Sequence, residues 1–191
     1  MSMKKIVLAS VLGGLAIFFW GAVSHVALPL YNNSLLRFTN EEAVTQAIVA
    51  NAPNPGVYFM PNNPVRSVGM SDEQYKAATQ ASMDRMMQGP FMFASIRLGP
   101  ASTPGLYITQ IFTDMLTAFF MTLILVKLSE KTYWSRVIVC LWIGLAGFMA
   151  KSLPMWNWYG FSPAFTFAEL IDFTGRAFVG GMVISKFTSS K

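Results

Sequence analysis

The chemistry of this chain rests on seven polar residues set in apolar surroundings: His25, Gln110, Asp114, Lys151, Glu169, Asp172 and Arg176. Ionisable groups are costly in hydrocarbon, and they face the interior of a helix bundle or a water-filled cavity. Their spacing is helical. Gln110, Thr113, Asp114 and Thr117 follow i, i+3, i+4, i+7, which draws one polar stripe down an apolar helix. Glu169, Asp172 and Arg176 share a face, with Asp172 and Arg176 ordered for an i, i+4 ion pair. Gly144 and Gly147 lead to Lys151, and Gly14 and Gly21 lead to His25; glycines let helix backbones approach closely. The three acids against Lys151 and Arg176 leave one negative charge, which a protonated His25 would neutralise. A buried network needs such balance, because an unpaired charge there costs on the order of several kcal/mol. Two readings follow. The pairs fix helix register and packing, or they form a proton or ligand site in which His25 is the side chain that titrates nearest neutral pH.

Four apolar runs are long enough to hold these residues in a bilayer, which takes about 20 residues per crossing. They are residues 6–31, 106–128, 133–153 and 165–187. The chain has 191 residues, 53% hydrophobic and only 12% charged, where soluble domains run at about 25% charged. Its mean hydropathy is +0.45. The expected fold is an all-α membrane bundle of four transmembrane helices, formed by residues 1–31 and 104–191. A small α+β extracytoplasmic cap, residues 32–103, is inserted between the first two. The first run is expected to be retained as a helix: it is too long for a signal-peptide core and has no small-x-small cleavage site.

Basic residues set the orientation. Lys4 and Lys5 precede the first span, Lys127, Lys131 and Arg136 bracket the turn between the second and third, and Lys186 and Lys191 follow the fourth. These share one side after four crossings, so both termini are expected in the cytoplasm of a bacterial inner membrane. The opposite turn, Met155 to Phe161, is uncharged and rich in aromatics, as suits an interfacial belt. The net charge of +5 is not gathered into a patch with interleaved aromatics, so nucleic acid is not an expected partner. The single cysteine, Cys140, is expected to be a small packing residue.

The inserted segment carries its own signals. Thr39 and Glu42 read as a capping box opening a helix to about Ala50, and Ser71 and Gln74 as a second, with a stop at Gly89. Pro53 to Gly56 reads as a turn, and residues 57–60 and 91–98 as strands. Two helices and two strands are expected to pack on the outer end of the bundle. Met83, Met86 and Met87 offer soft ligands for Cu(I), but their i, i+3, i+4 spacing is that of one buried helix face, the stronger reading. No metal or cofactor is expected.

The segment Trp20-Gly21-Ala22-Val23-Ser24-His25-Val26-Ala27-Leu28-Pro29-Leu30 resembles the W-G-x-x-S-H-x-x-L-P-L signature of a family of small, uncharacterised bacterial four-helix membrane proteins. Residues 52–61 resemble a second segment of that group. The resemblance covers about a third of the chain. It implies the same four-helix topology, transfers no catalytic residue, and singles out His25 and Pro29 as candidates for a functional spot.

Three functions fit the sequence. With no nucleophile motif, metalloprotease motif or P-loop, the first is an accessory subunit of a larger membrane complex, in contact with lipid and partner helices or with copies of itself. Phe18, Phe19, Trp20, Phe119, Phe120 and the Trp156-to-Phe161 turn would supply its apolar and interfacial contact area. The second is a small proton-linked transporter or channel using the polar cluster. The third is an enzyme at the outer membrane surface. The subunit reading is the sequence's first choice, and an enzyme its last.

Overall fold

The computed structural model describes residues 1–28, 30–32, 34–128 and 132–189; Pro29, Lys131 and Lys191 therefore lie outside the described residues. The protein is mostly helical with one small sheet. It divides into two compact units, residues 1–37 with 102–191 and residues 38–101.

The first unit is a helix bundle. Helix α1 spans Met3–Ala22 and runs on as one wide π-helical turn, Val23–Ala27. It ends short of Tyr31, where the apolar run ends, because Leu28 turns extended and closes the wide turn by donating to the Val23 carbonyl at 2.9 Å. The wide turn has no signature in the apolar pattern. Helix α4 (Pro104–Lys127) starts on a proline, which needs no N–H partner there. Helix α5 (Tyr133–Tyr159) is capped by Thr132, whose hydroxyl accepts from the Ser135 amide at 3.3 Å. It passes the expected end at Leu153, so Met155 to Tyr159, read above as a turn, is helical. Pro154 sits inside the helix, and the chain leaves it only at Gly160, in the left-handed conformation at φ 72°. Helix α6 (Pro163–Thr188) opens on the Ser162 cap and a first-turn proline.

Among the described residues, three helices are long and apolar enough to cross a membrane: Met3–Ala27, Pro104–Lys127 and Tyr133–Tyr159. Helix α6 has comparable length but carries Glu169, Asp172, Arg176 and Lys186, which lower its hydropathy.

Helix α1 packs on both α4 and α6, and α6 packs on α5, whereas α4 and α5 touch only lightly. Small residues set these contacts. A Cβ on Gly14 would strike the Met115 backbone of α4, and one on Gly144 would strike Ala177 of α6. One end of the bundle is closed by an apolar cluster of Ile17, Ala118, Met121, Leu125, Cys140 and Ile184. There Arg136 is buried, and its Nη1 donates to the Leu125 carbonyl, joining α5 to α4.

The second unit holds α2 (Glu41–Asn51), β1 (Gly56–Met60), α3 (Asp72–Gln88) and β2 (Met92–Ile96). The strands pair antiparallel, with Tyr58 opposite Ala94. The Ser71–Gln74 capping box is present. The first helix is capped differently from the sequence reading: Asn40 accepts from the Ala43 amide at 3.0 Å, because an Asx side chain next to the first helical residue reaches that amide where Thr39 does not. The methionine stripe is also different. Met83 and Met87 are exposed, and the buried residue of α3 is Ser82, whose hydroxyl donates to the Asn62 carbonyl at 2.7 Å.

Candidate functional site

Bordering the apolar cluster, the helices of the first unit surround a cleft of about 470 Å3, within the usual range for ligand pockets. His25, Asp114, Lys151, Glu169, Asp172 and Arg176 all line it, and they come from four helices. Its apolar wall includes Ile17, Met121, Ile143 and Phe173.

Asp172 accepts from three side chains on two helices. Helix α1 lays the Trp20 indole on Gly175, where a Cβ would collide with the ring. Its Nε1 donates to Asp172 Oδ1 at 3.1 Å. The buried Ser24 hydroxyl donates to the same oxygen at 2.6 Å. Arg176 Nε donates to Oδ2 at 2.9 Å, the i, i+4 contact of the sequence spacing. Arg176 then turns to α4, with Nη1 at 3.5 Å from Asp114 Oδ1, and that oxygen also accepts from Gln110 Nε2 at 2.9 Å. Gly21 leaves room for the guanidinium: a Cβ there would lie 3.2 Å from Nη2.

Glu169 forms the second corner. Its Oε2 accepts from Lys151 Nζ and, at 3.0 Å, from the buried Ser152 hydroxyl. Its Oε1 accepts from the Tyr31 hydroxyl at 3.3 Å. Tyr31 lies beyond the end of the first apolar helix. Its hydroxyl faces a buried carboxylate, which can only accept, so the phenol serves as the donor. Lys151 Nζ also sits 5.6 Å from the centre of the Phe173 ring.

His25 lies between the corners, stacked against Tyr31 with ring centres 4.8 Å apart. Its Nδ1 is 2.9 Å from Ser24 Oγ and 3.1 Å from the Gly21 carbonyl. A carbonyl only accepts, so the geometry assigns the Nδ1 proton and leaves Nε2 as the basic nitrogen. Nδ1–H, the Ser24 hydroxyl and Asp172 then form one donor-to-acceptor chain from the exposed imidazole to a buried carboxylate. The same order disfavours Ser24 as a nucleophile: its proton points at Asp172, not at the imidazole, which is the reverse of a serine hydrolase. His25, Asp114 and Arg176 also line a second cavity of about 360 Å3 between α1 and α4, so this trio separates two spaces.

Of the sequence-derived residues, Gln110 joins the site through Asp114. Thr113 does not: it is exposed, and its hydroxyl donates to its own helix at the Gln110 carbonyl. Trp20 turns inward onto Asp172 instead of supplying interfacial area, because Gly175 opens a seat for it. Ser24, Tyr31 and Ser152 were not singled out. The i, i+4 spacing of Trp20 and Ser24 was the one signal present for this face. Among the described residues, no group of three or more His, Cys, Asp or Glu is placed to hold a metal. No protein-family model, curated protein or solved structure matches this chain.

Proposed function

We propose that this chain is a four-span protein of a bacterial inner membrane, with both termini cytoplasmic and residues 32–103 outside, and that it acts as a small proton-linked transporter or channel through the polar cleft. One observation carries the functional reading: six charged or titratable side chains from four helices line one cavity in an otherwise apolar bundle. Intramembrane ionisable groups mark ion and substrate pathways. The His25–Ser24–Asp172 chain gives a proton a route from an exposed base to an interior acid. The pairing of Glu169, Asp172 and Arg176 within the bundle supports a fourth crossing by α6, since paired charges face away from lipid. Reporter fusions at Lys191 and near Met70 test the topology: the first should report the cytoplasm and the second the outside, and a loop protected from the external medium defeats it.

The subunit reading has one observation of its own. Helices α4 and α5 touch only lightly, so their facing sides are the least covered within the bundle and could take a partner helix. The two readings separate in purified protein. A liposome preparation with an internal pH dye should show proton flux that is lost in His25→Ala and in Asp114→Asn. Absence of flux, together with stoichiometric companions after gentle purification, establishes the subunit reading instead.

A further inference from the structure

The cleft selects its occupant by which charges it presents. Its carboxylates are recessed: the side chains of Asp114, Asp172 and Glu169 are only 6%, 7% and 11% exposed. Their oxygens are occupied by Trp20, Ser24, Tyr31, Gln110 and Ser152 as well as by the cations. The cations are more exposed than the acids. The Lys151 side chain is 51% exposed and that of Arg176 29%, and His25 is exposed too. Counted by formal charge the cluster is negative, yet the groups that an incoming molecule meets are donors and cations. Lys151 is an ammonium with three donors, of which Glu169 takes one. Below them the wall turns apolar, through Phe173, Ile143, Met121 and Ile17. Both α4, through Thr117 and Met121, and α5, through Ile143 and Gly147, line the cleft, and these two helices touch only lightly.

We propose that the cleft binds an amphiphilic anion. Its carboxylate or phosphate group would lie among Lys151, Arg176 and His25, and its apolar chain along Ile17, Met121, Ile143 and Phe173. This rests on the reading of the cleft as a binding and transport site, and it names the substrate class. Each exposed cation is already paired with a recessed acid, so the anion is held by charge-assisted hydrogen bonds without leaving an uncompensated positive cluster in hydrocarbon when it departs.

The test is equilibrium binding to the full-length protein in a neutral maltoside detergent, read by native mass spectrometry. The probes are laurate, dodecyl phosphate, dodecyltrimethylammonium and inorganic phosphate. Laurate and dodecyl phosphate should bind. Lys151→Gln should weaken both by about tenfold or more, the size expected for one lost hydrogen bond to a charged group. Thr117→Trp, which narrows the cleft from an exposed position of α4 and removes no charge, should abolish binding of both while the protein melts as the parent does. If dodecyltrimethylammonium binds as well as laurate, the anion assignment falls while the cleft remains a binding site. If inorganic phosphate binds as tightly as dodecyl phosphate, the apolar wall plays no part and the amphiphile is overturned in favour of a free anion. If no probe binds, the inference fails outright, and the proton-flux assay still judges the transport reading by itself.

Discussion

The two ion-pair corners of the cleft use the same chemistry to different ends. At the Arg176 corner, one guanidinium joins Asp172 on its own helix to Asp114 on α4, and Trp20 and Ser24 of α1 close over the shared carboxylate. Three helices meet there through the Asp172–Arg176 pair, and both acids are buried. At the Lys151 corner, an ammonium on a flexible stem reaches Glu169 from α5 and stays half exposed. Glu169 has two further donors, Tyr31 and Ser152, so it does not depend on Lys151 alone. The planar guanidinium holds two acids in fixed directions, whereas an ammonium is a point charge that can leave one partner for another. The first corner therefore sets how the helices meet, and the second is free to engage a ligand.

The largest effect that can break this comparison is expected from Arg176→Leu. It leaves Asp114 and Asp172 with neutral donors but no counter-charge between two neighbouring buried acids, where removal of one partner of a buried pair costs about 3–5 kcal/mol. Poor expression and a large fall in melting temperature in detergent are the expected result. An Arg176→Leu protein that expresses and melts like the parent would sink the division between the corners, because Arg176 would then be as dispensable to the fold as Lys151.

The division was only half legible in the sequence. The Asp172–Arg176 contact follows from four-residue spacing on one helix, and Asp114 stands out as the acid in a polar stripe. Local periodicity names such residues because their partners lie one turn away. The donors that complete the site were invisible for the opposite reason. Trp20 and Ser24 reach Asp172 from 152 and 148 residues away, and Tyr31 and Ser152 reach Glu169 across helix contacts that no pattern within one helix encodes. Trp20 looked like a membrane-interface aromatic, and only the seat at Gly175 turns it inward. The wide turn at Val23–Ala27, which sets the Ser24 hydroxyl beside the His25 ring over the Gly21 carbonyl, leaves no mark on hydropathy. The same limit applies to the helix ends. Apolar length located α4 within a residue or two, yet it stopped α5 at Leu153, because Pro154 and the polar-aromatic run after it read as a turn while the helix continues to Tyr159.

A smaller effect sharpens the comparison from the other side. Lys151→Gln removes the cation of the second corner, but half of that side chain is already in contact with the surroundings, so the pair is screened and its loss costs about 1 kcal/mol or less. Glu169 keeps the Tyr31 and Ser152 hydroxyls, and glutamine keeps an amide donor at nearly the same reach. Its melting temperature should therefore stay close to the parent's, far above that of Arg176→Leu measured side by side in the same detergent. If Lys151→Gln falls as far as Arg176→Leu, then Glu169 depends on the ammonium as fully as Asp172 depends on the guanidinium, and the Lys151 corner is a helix clamp with no freedom to turn toward a ligand. If it holds, the exposure of Lys151 is a property the fold tolerates without needing, and a cation kept half free beside a buried acid is available for something other than stability.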